Sequence, residues 1–142
     1  MCHGDFGISY VTKQPVFNEI WPRYITTIEL AFMGMIVSTL IGIPLGIYAA
    51  VKQYSVTDTV ASLVSFFLAA VPTFVLGLVL LYCFALKLNW LPSYGIPDWT
   101  GYIMPTLAIS IPIAAQNFRF TKSSMLDAIH QDYVRTARAK GA

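Results

Sequence analysis

Charge is what this sequence has least of. Charged residues make up 11% of its 142 residues and hydrophobic residues 56%, against about 25% and roughly 45–50% in typical soluble domains. Three intervals, 30–51, 59–86 and 99–118, contain no Asp, Glu, Lys or Arg. This distribution excludes an ordinary soluble domain. Because about 20 apolar helical residues cross a bilayer core, each interval is long enough for one transmembrane helix.

Groups that carry out catalysis are also scarce. The only histidines are His3 and His130, and three spans would place them on opposite faces of the membrane, where they cannot share a metal or a proton relay. No paired carboxylates lie within a span, where an ionisable residue would mark a functional site. The sequence also lacks a Gly-x-x-x-x-Gly-Lys-Ser/Thr phosphate loop. We therefore expect a protein that is not an enzyme, with no catalytic residues, no metal site and no cofactor.

The few charges predict the topology. Three spans place the N-terminal segment and the C-terminal tail on opposite sides of the membrane. With the N-terminal segment outside, the inner segments hold six Lys and Arg residues and the outer segments three, as the positive-inside rule requires. We predict an external loop over 1–23, a transmembrane domain over 24–118 with spans at about 25–51, 59–86 and 100–118, and a cytoplasmic segment over 119–142.

Small residues recur at every fourth position along the first span. This spacing places them on one side of a helix, and in membranes such residues let helix backbones approach closely. A chance arrangement is the alternative to a packed face. The predicted packing residues are Gly34, Ser38, Gly42, Gly46 and Ala50.

Prolines are expected to bend the spans. The second interval has 28 residues, and at about 1.5 Å per residue it is longer than a bilayer core of about 30 Å. It must therefore tilt or bend, and 69–74 is where a break would fall. A broken span facing a cavity can form a substrate path, and a packed kink without substrate contact fits the sequence equally well. The predicted kink residues are Pro44, Pro72, Pro105 and Pro112.

The tail has the pattern of a basic amphipathic helix. Leu126, Ile129, Tyr133 and Ala137 recur at steps of three and four residues and line one helical stripe. Such a helix could lie on anionic headgroups or dock into a groove of a soluble partner. The pattern alone does not separate these two interpretations. Nucleic-acid binding is not expected, because basic residues beside a membrane are explained more simply.

The segment Asp132-Tyr-Val-Arg-Thr-Ala-Arg-Ala-Lys-Gly141 resembles the cytoplasmic coupling segment of permease subunits of bacterial ABC importers, most closely in the dipeptide, oligopeptide and nickel branch of these binding-protein-dependent transport systems. The general family pattern is Glu-Ala-Ala-x-x-x-Gly. Gly141 aligns with its glycine, Ala137 and Thr136 with its alanines, and Arg135 replaces the glutamate, as is usual in the peptide branch. Upstream, Gly42-Ile-Pro-Leu-Gly46 and Trp90-Leu-Pro92 also look like that branch.

The resemblance implies an all-α, six-span permease fold, of which this chain would hold the second to fourth spans and a truncated coupling segment. It implies ATP-binding subunits, a second permease subunit, an external solute-binding protein and the lipid bilayer as partners. The segment expected to contact the ATP-binding subunit comprises Leu126, Ile129, Asp132, Tyr133, Arg135, Thr136, Ala137, Arg138, Lys140 and Gly141.

The expected function is therefore import of peptides or similar small solutes across the cytoplasmic membrane, with ATP hydrolysed by a partner subunit. The alternative is a membrane-anchored scaffold or assembly protein that transports nothing. A passive channel is disfavoured because no polar stripe runs along any span.

Overall fold

The first and longest helix, α1, spans Val16–Val51 and carries Pro22 and Pro44 within it. The computed structural model describes residues 6–96, 98–131, 134, 139 and 140. Helix α1 begins earlier than the sequence predicted, inside the segment interpreted as a loop. Phe17, Trp21 and Tyr24 stack along its first turns, with ring centroids 5.7 and 6.2 Å apart. Aromatic contacts at helical spacing stabilise a helix, here in a segment that the sequence predicted as an external loop.

The second charge-free interval forms two helical arms joined at a sharp bend. Helix α2 spans Val56–Ala70, and α3 spans Thr73–Leu80 and continues as π-helical turns over Leu81–Lys87. The arms are bent by 100° at the break between them. Val71 there is extended, as residues before proline generally are, and Pro72 is the N-cap of α3, where its missing N–H costs α3 no hydrogen bond.

A 3-10 turn at Trp99–Tyr102 leads into helix α4, Ile103–Ile129. Pro105 lies in the first turn of α4, where no backbone N–H is needed, and Pro112 lies buried inside the helix. The helix passes residue 118 without a break. The predicted boundary between the third span and the cytoplasmic segment therefore falls within one continuous helix.

Helix α1 packs mainly against α4, and the two run in the same direction. At one end the Tyr102 hydroxyl donates to Glu29 Oε2 at 2.6 Å. Farther along, Gly34 faces Ile109 and Gly46 faces Thr121. Because the two helices are parallel, the chain between them must return to its starting end. A chain that returns in this way is compatible with three crossings of one membrane.

The described residues form an all-α fold without β-strands, apart from an isolated bridge between Ile8 and Pro15. By length and composition α1 is the one described helix that could cross a membrane alone, and the bent pair α2–α3 is a second if it counts as one span. Helix α4 is not among these candidates. Its sequence contains Gln116, Asn117 and Arg119, which lower its mean hydropathy.

Candidate functional site

The small-residue face of α1 lies against α4 and is buried along its whole length. A Cβ atom added at Gly42 would lie 2.6 Å from the carbonyl oxygen of Ala114, and one added at Gly46 would lie 2.8 Å from that of Phe118. At these two positions the helix backbones approach as closely as glycine alone permits. The buried residues that the sequence placed on this face are Gly34, Ser38, Gly42, Gly46 and Ala50.

Two serines are the most deeply buried side chains of the described residues. Ser38 is 1% exposed and Ser110 is 0% exposed. Each hydroxyl donates to a carbonyl of its own helix, Ser38 to Met35 at 3.0 Å and Ser110 to Leu107 at 3.5 Å. The helices are therefore not joined by these hydroxyls, and the sites require small side chains.

We expect Ser110→Leu to destabilise the full-length protein and Ser110→Ala to leave it nearly unchanged. Overpacking a close interface costs about 1–3 kcal/mol, whereas a polar side-chain contact in a membrane protein contributes about 0.6 kcal/mol. Unfolding of the purified protein in detergent measures both values. Equal destabilisation by alanine and leucine would show that the hydroxyl, rather than size, is required.

A polar cluster joins the first turn of α2 to α4. The Lys122 ammonium forms an ion pair with Asp58 Oδ1 and donates to Ser62 Oγ at 3.0 Å. The backbone N–H of Tyr54 donates to Asp58 Oδ2 at 3.2 Å, and Ser55 caps α2 by accepting from the Asp58 N–H at 3.2 Å. The carboxylate is thereby held by both helices.

This ion pair lies just outside the predicted spans, on the side that the charge distribution predicts to be cytoplasmic. The hydrogen bond from Lys122 holds the pKa of the Asp58 carboxyl below its ordinary value, against the opposing effect of burial. Sequence reasoning missed this cluster. One signal in the sequence could have indicated it. Asp58 ends the loop before the second predicted span and Lys122 follows the third, so the predicted topology places these opposite charges on the same side of the membrane.

Two described residues of the predicted coupling segment lie at the end of α4, and Lys140 lies beyond it. Leu126 and Ile129 are half-buried in its last turns, and Lys140 is exposed. His130 ends the helix with Nδ1 2.7 Å from the Leu126 carbonyl oxygen. The other predicted contact residues lie outside the described residues, and their role stays a prediction: Asp132, Tyr133, Arg135, Thr136, Ala137, Arg138 and Gly141.

Comparison with known proteins gives a family match across most of the chain. The model of the family described as "Binding-protein-dependent transport system inner membrane component" matches residues 42–142. The glutathione transport system permease protein GsiC of Escherichia coli (strain K12) is 38% identical over 138 residues, and that of Salmonella typhi is 41% identical over 138. Each match covers 97% of this chain and 45% of the relative, so the chain spans less than half the length of these relatives.

This family consists of transport permeases of ABC importers, which are not enzymes, and its description places them in the inner membrane. The chain belongs to the family of inner membrane components of binding-protein-dependent transport systems.

Proposed function

We propose that this chain is part of a permease subunit that imports peptides or similar small solutes, including glutathione-like ones, using ATP hydrolysed by a partner subunit. The observation that carries the proposal is the sequence motif at 132–141, which begins three residues after the last residue of α4 and falls within the family match over 42–142. The two GsiC relatives are named as glutathione transport permeases, which supports a glutathione-like or peptide solute.

The proposed mechanism uses α4 as the element that connects the cytoplasmic segment to the membrane. Helix α4 is continuous over Ile103–Ile129, so a movement at its cytoplasmic end displaces the whole helix. Helix α1 follows, because the backbones touch at Gly42 and Gly46. Closure of a dimer of ATP-binding subunits would thereby switch the permease between inward- and outward-facing arrangements.

The proposed topology has the N-terminal segment outside, three crossings, and the end of α4 inside. Two independent observations support it. The count of Lys and Arg residues favours this orientation, and the parallel packing of α1 and α4 is compatible with a returning segment between them.

Co-purification tests the proposed function against a scaffold without transport. We expect the affinity-tagged full-length protein, solubilised from its own membrane, to bring down ATP-binding subunits and a second permease in stoichiometric amounts. After reconstitution with the external solute-binding protein, the complex should accumulate labelled glutathione or a labelled tripeptide only when ATP is supplied. Purification without any ATPase would contradict the proposal.

A further inference from the structure

The Asp58–Lys122 contact is the one ion pair among the described residues, and it joins two helices whose contacting residues are 64 positions apart in sequence. The side chain of Asp58 is 8% exposed and that of Lys122 is 21% exposed. Replacing a buried ion pair by apolar residues is often neutral or stabilising. Stability is therefore a weak reason for its presence, and the geometry it imposes is a stronger one.

Apolar packing between α2 and α4 is open beside this pair. A cavity of about 190 Å³ lies among three helices there, and its lining includes Ile41 and Leu45 from α1, Ala61 and Val64 from α2, and Ala114 and Phe118 from α4. The walls of such a void lose dispersion contacts. This arrangement differs from the α1–α4 contact, where the backbones touch. The polar attachment is thus the most specific contact that fixes the start of α2 relative to α4.

A second, weaker contact lies next to the ion pair. The exposed Arg119 guanidinium of α4 lies over the Phe66 ring of α2, 5.1 Å from its centroid. An exposed cation–π contact of this kind is a weak interaction. It lacks the several hydrogen bonds that hold the Asp58 carboxylate, so it restricts the position of α2 less.

We propose that Asp58 and Lys122 are positioning residues that transmit the movement of α4 to α2. Lys122 lies seven residues, or about two turns, before the end of α4 at Ile129. A displacement of that end carries Lys122, and the ion pair carries the start of α2. The other end of α2 meets the bend of 100° at Pro72, so the displacement reaches the bent arm α3. This inference rests on the proposed function.

Neutral variants of the pair in the reconstituted full-length importer test this link. Asp58→Asn keeps an oxygen that accepts from Tyr54, and Lys122→Gln keeps a polar side chain. We expect the uptake of labelled glutathione or a labelled tripeptide per ATP hydrolysed to fall about tenfold in each, a typical size for coupling between sites. The double variant should lose no more than either single variant, because both remove the same link.

Lys52→Gln is the matched control. The Lys52 ammonium also lies on the predicted cytoplasmic side, but it donates to the hydroxyl of Tyr48 at 2.9 Å within its own helical turn and joins no second helix. Its loss should leave the uptake per ATP unchanged. An unchanged ratio in assembled Asp58→Asn or Lys122→Gln importers would overturn the inference.

A cross-linked variant covers the case in which the neutral variants do not assemble. In a Cys2→Ser, Cys83→Ser background, Asp58→Cys with Lys122→Cys can be joined by a short bifunctional thiol reagent. We expect the cross-link to restore the uptake per ATP, and failure to restore it would overturn the inference. If the wild-type complex itself shows no ATP-dependent uptake, the proposed function fails instead.

Discussion

Gly42→Ala is expected to lower the free energy of unfolding of the full-length permease by about 1–3 kcal/mol, as overpacking of a close interface generally does. The added methyl group would lie 2.6 Å from the carbonyl oxygen of Ala114 and 2.6 Å from the Cβ of Asn117. The nearest atom belongs to the backbone of α4, which cannot rotate away. The two helices must therefore separate, and contacts on both sides of Gly42 weaken.

Gly34→Ala is the control for this prediction. A Cβ at Gly34 meets the side-chain methyl Cγ2 of Ile109 at 3.2 Å and no backbone atom, so a small shift of that side chain accommodates it. Both substitutions gain the same helix propensity, about 1 kcal/mol in favour of alanine. The difference between them measures the backbone contact alone. Equal unfolding free energies in detergent would contradict the proposed close approach at Gly42.

Gly141→Asp is expected to abolish uptake while the protein still reaches the membrane. In the family pattern this position is a glycine, which permits a tight backbone turn that other residues adopt only with strain. An aspartate would add a side chain and a charge to a segment that, in the proposed function, docks into a groove of the ATP-binding subunit. Uptake of labelled glutathione or a labelled tripeptide by the reconstituted importer, and retention of the ATP-binding subunit on a tagged permease, measure the two effects.

Ala139→Asp provides the same charge two residues away. Ala139 is exposed and occupies a position that the family pattern leaves unspecified, so this variant should retain most of its uptake. Uptake by Gly141→Asp that equals the uptake of wild type would contradict the docking role of the segment. Equal loss in both variants would show that added charge, rather than the glycine, causes the effect.

Several features were predictable because they depend on local spacing or on composition. The recurrence of small residues at every fourth position indicated which face of α1 is buried, since the helical period fixes which residues share a side. The excess length of the second interval predicted a bend, and the chain does bend by 100° next to Pro72. The motif ending at Gly141 indicated the family that the comparison confirmed over residues 42–142.

Helix α1 begins at Val16, within the segment that the sequence predicted as an external loop. The stacking of Phe17, Trp21 and Tyr24 stabilises this start, but it forms only when the three residues already share one helical face. The continuity of α4 across residue 118 was also missed. A change from apolar to charged residues marks a change of environment, and it need not end a helix.

The sequence by itself determined that this protein is helical and rich in apolar segments, which face of α1 is packed, and which family the chain belongs to. Only the tertiary structure decided that α4 covers that face and runs parallel to α1, and that Asp58 forms an ion pair with Lys122. Periodicity specifies which side of a helix packs against another element, but it carries no information about which element that is. The partner is selected by the fit of whole surfaces and by the pairing of buried charges, which contact each other only after the chain has folded.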